Sequence, residues 1–410
     1  MTSIVVPTRD RKDSLLRLLR SLVHPADVPL IAEVLVVDDA STDGTAAAVD
    51  AFRAPWPLRR LRTDGHGPAI ARNRGAEAAT GDIVLFLDDD LEVSPGLVAA
   101  HVAAHAEAPD DIAVVGPYPP RHEPSRSPFV ILARNWWEDH FREVEDPGHR
   151  VRSTDLLSGN LSMRTATFLR FGGFDEEFRG CRAEDWELGV RLLAAGLRIV
   201  PCAAAHALHH EIDTTWPDRA LSDARREGRG VALMDRRHPE LAAARERGPL
   251  LDGRMKRAIR RTAADHPLIG DAAWKGIRLF LPVFAVLRAR RAWRHAWGLL
   301  HLYRFWRAYH EVPAAPDRAT LDDAARHDSA REGATARADP TPLTVDLARG
   351  LDSAERLLDD ERPHALRLIW EDRRIGDVDV EPGTEPWRGA HLRKLLAERF
   401  AAELARELGS

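Results

Sequence analysis

The chain reads as an α/β protein built on a mostly parallel, Rossmann-like sheet flanked by helices. Three observations carry that reading. Apolar runs alternate with helical patterns along the first two hundred residues, the order that crossover connections between parallel strands require. The runs Ser3–Pro7, Glu33–Val37 and Ile83–Leu87 are short and almost continuously apolar, as buried parallel strands are. All three end in polar or acidic residues: Thr8-Arg9, Asp38-Asp39 and Asp88-Asp89-Asp90. The carboxyl ends of such strands are where open α/β sheets hold their ligands.

The elements follow in order. Ser14–Val23 has helical periodicity, with Asp13 placed to cap it. Ser41-Thr42-Asp43-Gly44-Thr45 turns into a second helix, and Ala69–Ala79 forms a third that Gly81 breaks. Pro117–Pro128 is rich in Pro and Arg and reads as a loop, and Asn135–Phe141 begins a short helix. Arg182-Ala183-Glu184-Asp185 opens an apolar-periodic helix through Leu193, with carboxylates in the first turn, where the helix dipole favours them. A carboxylate there can also act as a general base if it lies at the mouth of a pocket. Leu197–Val200 is a strand, followed by His206, His209 and His210.

Composition bounds the function. At 410 residues the chain exceeds one ordinary domain. A formal net charge of −5 argues against a general nucleic-acid binder. Cys181 and Cys202 are the only cysteines, which leaves no disulfide framework and no cysteine zinc site. No signal peptide opens the chain, and no apolar run reaches the roughly 20 residues needed to span a bilayer. The expected compartment is the cytoplasm, with peripheral contact at the inner face of a membrane left open. Three carboxylates closing a buried strand call for a cation, and Mg²⁺ or Mn²⁺ suits oxygen donors; a polar turn is the other reading of the triplet.

Six segments together resemble glycosyltransferase family 2, the nucleotide-sugar transferases of GT-A fold. They are Ser3–Thr8, Val36–Thr45, Ala71-Arg72-Asn73-Arg74-Gly75, Phe86–Asp90, Gly172-Gly173-Phe174-Asp175 and Glu184-Asp185. They stand in the family's order over roughly residues 1–235. The resemblance implies a metal-dependent, inverting, bacterial-type enzyme that moves a sugar from a nucleotide-diphosphate sugar, UDP-linked by family habit, to a hydroxyl acceptor. Pro7, Thr8, Arg9, Asp39 and Asn73 would line the nucleotide pocket, with Asp39 on the base. Asp88 and Asp89 would lie near the ribose or sugar, beside Gly159 and Asn160. Asp90 would meet the metal, with Asp88 and a histidine, His209 before His206. Asp185 would be the catalytic base, with Glu184 next to it. Arg225 and Arg226 either touch phosphate or cover a helix surface. The Gln-x-x-Arg-Trp segment of the processive synthases is missing, so the transfer is expected to be non-processive. Trp136 and Trp137 either stack on an acceptor ring or fill the core. Two other readings stay open: a degenerate transferase kept as a binding module, and a sugar-phosphate nucleotidyltransferase. The latter needs a Gly-rich phosphate loop where Pro7-Thr8-Arg9-Asp10 stands.

Beyond the catalytic domain, placed at 1–235, residues 236–312 form a helical extension. Its stretch 273–310 mixes Arg with Trp, as helices lying in a membrane interface do. Packing on the catalytic domain or on a second copy is the alternative. Pro282 is expected to kink or interrupt the helix. Residues 313–342 read as a linker, and 343–410 as a small α+β module with strands at 343–347, 365–370 and 374–380 and a helix over 391–408.

Overall fold

The computed structural model describes residues 1–108, 111–121, 128–210, 217–247, 253–313 and 341–408. Expected features at 122–127 and 314–340 lie outside these residues. Seven strands form the main sheet: β1 (Thr2–Thr8), β2 (Ile31–Asp39), β3 (Leu58–Thr63), β4 (Ile83–Leu87), β6 (Ile112–Val115), β7 (Asn160–Arg164) and β8 (Arg198–Pro201). Their order is β3-β2-β1-β4-β7-β6-β8, and all pairings are parallel except the two made by β7. A two-stranded ribbon stands apart, β5 (Leu91–Val93) against β9 (Ala207–His209).

Both faces of the central strands are buried. Ile4, Val6, Val34, Val36, Leu85 and Leu87 face one core, where they meet α1 (Lys12–Ser21), α2 (Thr45–Ala51) and α4 (Leu97–Glu107). Val5, Leu35, Val37, Val84 and Phe86 face the other, against α3 (Pro68–Glu77), α6 (Thr165–Arg170) and α7 (Glu184–Ala194). Successive side chains of a strand alternate faces, so uninterrupted apolar runs supply two cores at once. Helix α3 lies unusually close to the sheet. A Cβ on Gly75 would stand 2.2 Å from Val5 Cγ1, so only glycine fits there.

The cap on α1 differs from expectation. Asp13 sits inside the first turn and Arg11 is the N-cap, without a side-chain cap bond. Asp43, from the loop before α2, accepts the Lys12 N–H at 2.9 Å instead. A neighbouring loop therefore satisfies this helix start and ties two rim loops together.

Past the ribbon the chain forms a helical layer. α5 (Pro128–Glu145) runs from this layer to the sheet and is much longer than the expected short helix. The layer itself comprises α8 (Pro217–Arg237), α9 (Pro239–Arg247), α10 (Arg254–Asp265), α11 (Pro267–Val286) and α12 (Arg290–Tyr309). α8 crosses α12 closely, since a Cβ on Gly228 would meet Phe305 O at 2.2 Å. The expected boundary at 235 falls inside α8. α11 continues through Pro282, and the turn to α12 comes at Arg288, whose φ is 53°.

The C-terminal module holds β10 (Leu343–Asp346), β11 (Leu366–Trp370) and β12 (Arg373–Val378) in one small sheet. It is covered by α13 (Leu351–Glu361), α14 (Gly389–Arg399) and α15 (Ala401–Leu408), the last two interrupted at Phe400 where one helix was expected. It docks on the catalytic domain. Ser153 N–H donates to Gly383 O at 2.7 Å, Glu385 N–H to Val151 O at 2.8 Å, and Arg150 lies 4.2 Å over the Trp387 ring.

Candidate active site

The ends of β1, β2 and β4 form one rim, because Thr8 pairs with Asp38 in register and β4 runs beside β1. Asp88, Asp89 and Asp90 leave β4 in three directions, and each meets a cation or a hydroxyl. Asp88 Oδ1 accepts from Arg72 Nη2 at 2.7 Å and its side chain stays 35% exposed. Asp89 accepts from Thr8 Oγ1 at 2.7 Å and from Arg11 Nη1 at 3.3 Å. Asp90 Oδ2 accepts from Arg11 Nη1 at 2.6 Å and lies 3.0 Å from His209 Nε2. The ribbon brings His209 there, since Leu91 of β5 pairs with His209 of β9.

Burial, then the neighbouring Asp90, pushes the Asp89 carboxyl up to about 7. Burial pushes Asp90 up as well, but the His209 hydrogen bond and charge, with Arg11, outweigh it and hold Asp90 below the usual carboxylate range. His209 is raised in return: burial lowers it, and Asp90 more than compensates. Asp90 Oδ1 and His209 Nδ1 are buried without a hydrogen-bond partner. An unused carboxylate oxygen beside an imidazole fits a divalent cation. Among the described residues no three His, Cys, Asp or Glu side chains already converge on one point. The protein itself thus offers two donors rather than a closed cage.

Arg72 and Arg11 organise the site, although the sequence reading gave neither a role. The buried Arg72 guanidinium joins Asp88 to Glu184, whose Oε1 lies 3.0 Å from Nη1. Burial opposes its charge, but Asp88 and Glu184 outweigh that and keep it protonated. Arg72 stood in the quoted Ala71–Gly75 segment, and Arg11 follows Pro7–Asp10; an Arg beside a carboxylate-rich rim was the available signal.

Glu184 and Asp185 open α7 together and diverge. Glu184 is buried and committed to Arg72. Asp185 is half-buried. It accepts the Trp186 N–H at 2.9 Å, and only long contacts of 3.3 and 3.4 Å from the Ser158 N–H and hydroxyl. Burial, then Glu184, pushes it up to about 7, with Arg72 pulling the other way. Between Asp88 and α7 stands Tyr118, a further residue the sequence did not flag. A Cβ on Gly159 would meet Asp88 Oδ2 at 2.8 Å and Tyr118 Oη at 2.9 Å, so Gly159 gives the backbone its close approach to this point. Trp137 and Phe141 of α5 pack on Tyr118, and Trp137 also lies near His209, whereas Trp136 is exposed.

Several expected residues are placed otherwise. Asn73 spends its amide on the turn after Gly173: Nδ2 donates to Phe174 O at 2.8 Å and Oδ1 accepts the Phe174 N–H at 2.9 Å. Asn160 is fully buried, bonded to Ala205 O at 2.7 Å and to His101 Nε2 at 2.9 Å, beneath the rim rather than on it. His206 bonds Ser94 at 3.1 Å, toward the far end of the ribbon from Asp90. Arg226 bonds Asp223 and Arg225 bonds Glu311, both within the helical layer. Asp39 accepts four hydrogen bonds of 2.6–3.0 Å from Thr63, Gly65, His66 and Gly67, so its carboxylate shapes the loop after β3. Pro7 stays within β1, opposite Val37, and the Arg9 guanidinium lies over Gly65 of that loop. A cleft of about 800 Å³ opens on this loop's outer side, between β3 and α3, away from Asp88–Asp90. Asp10, Ala40 and Ala183 have positive φ (51°, 64° and 77°) in loops around the rim, where strain accompanies function.

Residues 3–168 match the model for glycosyl transferase family 2, and residues 139–212 match that for the N-terminal domain of galactosyltransferase. Residues 3–168 thus carry a glycosyltransferase family 2 domain. Relatives agree at the level of class. A validoxylamine A glucosyltransferase from Streptomyces hygroscopicus subsp. limoneus is 32% identical over 220 residues, covering 48% of this chain and 49% of the relative. The uncharacterised glycosyltransferase YfnE of Bacillus subtilis is 35% identical over 242 residues, 48% of this chain and 61% of that protein. The chain thus spans about half to three-fifths of these two curated relatives. A mannosyltransferase from Pyrobaculum calidifontis, solved with GDP-Man and Mn²⁺, superposes with a TM-score of 0.49 at 18% identity over 76% of this chain and 88% of that one.

Proposed function

We propose that this family 2 domain transfers a glycosyl group from a nucleotide-diphosphate sugar, UDP-linked in the favoured case, to a hydroxyl of an acceptor, in one displacement with inversion. The observation that carries the reading is Asp185. It is a carboxylate at a helix start, in no ion pair among the described residues and drawn up to about 7, one arginine away from the acidic rim. A base poised near neutrality can accept a hydroxyl proton in the transition state.

The acceptor oxygen bonds to the anomeric carbon while Asp185 takes its proton. The bond from that carbon to the diphosphate oxygen breaks, and its electron pair leaves with the diphosphate. Asp90 and His209 would hold Mn²⁺ or Mg²⁺, which supplies charge neutralisation at the leaving diphosphate. Arg72 holds Asp88 toward the donor and keeps Glu184 away from the proton transfer. Asp39 holds the shape of the loop after β3, beside the rim, and Thr8 fixes Asp89. With no Gln-x-x-Arg-Trp segment in the sequence, one sugar per acceptor encounter is the favoured mode.

Calorimetric titration with UDP, GDP and dTDP, each with Mn²⁺ and with EDTA, tests the donor half. We expect one nucleotide to bind, to need the metal, and to bind at least about tenfold more weakly in Asp90→Asn. Binding unchanged in Asp90→Asn removes the metal assignment; no binding by any of the three removes the donor site.

A further inference from the structure

α11 is apolar on two faces, and only one is covered. Trp274, Ile277, Leu281 and Phe284 face inward, against Trp293, Trp297 and Leu300 of α12 and Leu221 of α8. Outward stand Leu268, Ile269, Leu279, Phe280, Val283 and Val286, between 46% and 84% exposed. At 100° per residue these six fall within an arc of roughly 120°. They extend along roughly 27 Å of helix. Lys275 and Arg278 border the arc on one side, both exposed, and Arg278 is paired with Asp218 of α8 at 2.6 Å. A soluble surface seldom carries so continuous an apolar stripe without a partner.

Charge identifies the partner. Residues 254–310 hold thirteen Lys and Arg against two acids, Asp265 and Asp271, in a chain whose formal net charge is −5. Asp271 is engaged by the Tyr303 hydroxyl at 2.8 Å. Arg290, Arg291 and Arg294 lie exposed just past the apolar stripe. None of the three has a carboxylate partner among the described residues. The sequence between 314 and 340 contains one large apolar residue, Leu321. A second copy of the same layer would bring its own excess of arginines against this one.

We infer that the outer face of α11 with the start of α12 is a docking surface for an anionic lipid bilayer, on which α11 lies in the plane of the interface. The apolar arc enters the acyl boundary, Lys275 reaches up to the headgroups along its aliphatic stem, and the α12 arginines meet lipid phosphate. No helix among the described residues is long and apolar enough to cross a membrane, so the contact is one of surface attachment. The inference stands on the helical layer alone and is independent of the transferase reading.

Co-sedimentation of the full chain with vesicles tests it. Vesicles of phosphatidylcholine carrying phosphatidylglycerol are compared with phosphatidylcholine alone, at low and high salt. We expect binding to the anionic vesicles, weakened by salt. The Leu279→Glu/Phe280→Glu variant should lose it. The Arg290→Glu/Arg291→Glu/Arg294→Glu variant should lose at least roughly a hundredfold in partition coefficient. All five side chains are exposed, so both variants should melt with the wild type, which separates lost docking from lost fold. Absence of binding to anionic vesicles overturns the proposal, as does binding unchanged in either variant. A dimer seen by light scattering that Leu279→Glu/Phe280→Glu dissolves, without vesicle binding, would assign the face to a second copy instead.

Discussion

Replacing Arg72 by Met keeps an unbranched apolar stem and removes the guanidinium that joins Asp88 to Glu184. Glu184 is 9% exposed, so its charge would be left in a poorly solvated place. Breaking a buried pair from one side costs about 3–5 kcal/mol. Asp88 is 35% exposed and water screens it, so its share is at most about 0.5 kcal/mol. A total near 4 kcal/mol lowers the midpoint of a domain this size by about 8–16 °C. Differential scanning fluorimetry of Arg72→Met, Glu184→Gln and the double variant reads this directly. The double variant should recover at least about 1.5 kcal/mol, since the stranded charge is gone. Activity adds a second readout. Arg72 pulls the Asp185 pKa down, so its loss moves the acid limb of the rate profile to higher pH. A loss below about 1 kcal/mol with additive single effects would refute the bridge as the organiser of this site.

Three further outcomes follow from the same chemistry. With Asp185 as base at about 7, the rate should rise with pH through that value, and Asp185→Asn should lose at least about a hundredfold with nucleotide binding intact; product formation unchanged in this variant removes the base. His238 is pushed down by burial but raised overall to about 9 by Glu187 and Glu240, while Glu187 is held at about 2. A raised histidine contributes stability that is whole below its unfolded value near 6.5 and is lost as pH rises through about 9, so wild type should lose midpoint temperature between those values and His238→Gln should not. Gly159→Ala places a methyl group within 2.9 Å of both Asp88 and the buried Tyr118, and should cut turnover and cost about 1–3 kcal/mol of stability, read by melting temperature.

The central strands were legible because burial on both faces leaves a compositional trace. Ile83–Leu87 was expected and observed with identical bounds. β3 left no such trace: Leu58-Arg59-Arg60-Leu61-Arg62-Thr63 is an edge strand, only partly buried, with arginines that reach outward to Asp50 and Glu33. β7 was quoted for its Gly159-Asn160 turn but not recognised as a strand, since Ser162 and Asn160 are buried polar residues satisfied by His101 and His105. The helix at 351–361 went unseen, and the expected C-terminal helix breaks at Phe400, whose ring fills the space over Gly376 of β12.

By itself the sequence determined the layered α/β order, the acidic rim and the carboxylates at the start of α7, because strand period, strand-end polarity and helix-start acidity are local properties. Only the tertiary structure decided which polar groups remain available for chemistry. Asn73, Asn160 and Glu184 look like site residues in the chain, yet each is consumed by a partner 45 to 112 positions away. Asp185 and the free oxygen of Asp90 are left over. A hydrogen bond is settled by where distant backbone and side chains come to rest, so the division between scaffold and chemistry appears only once the chain has folded.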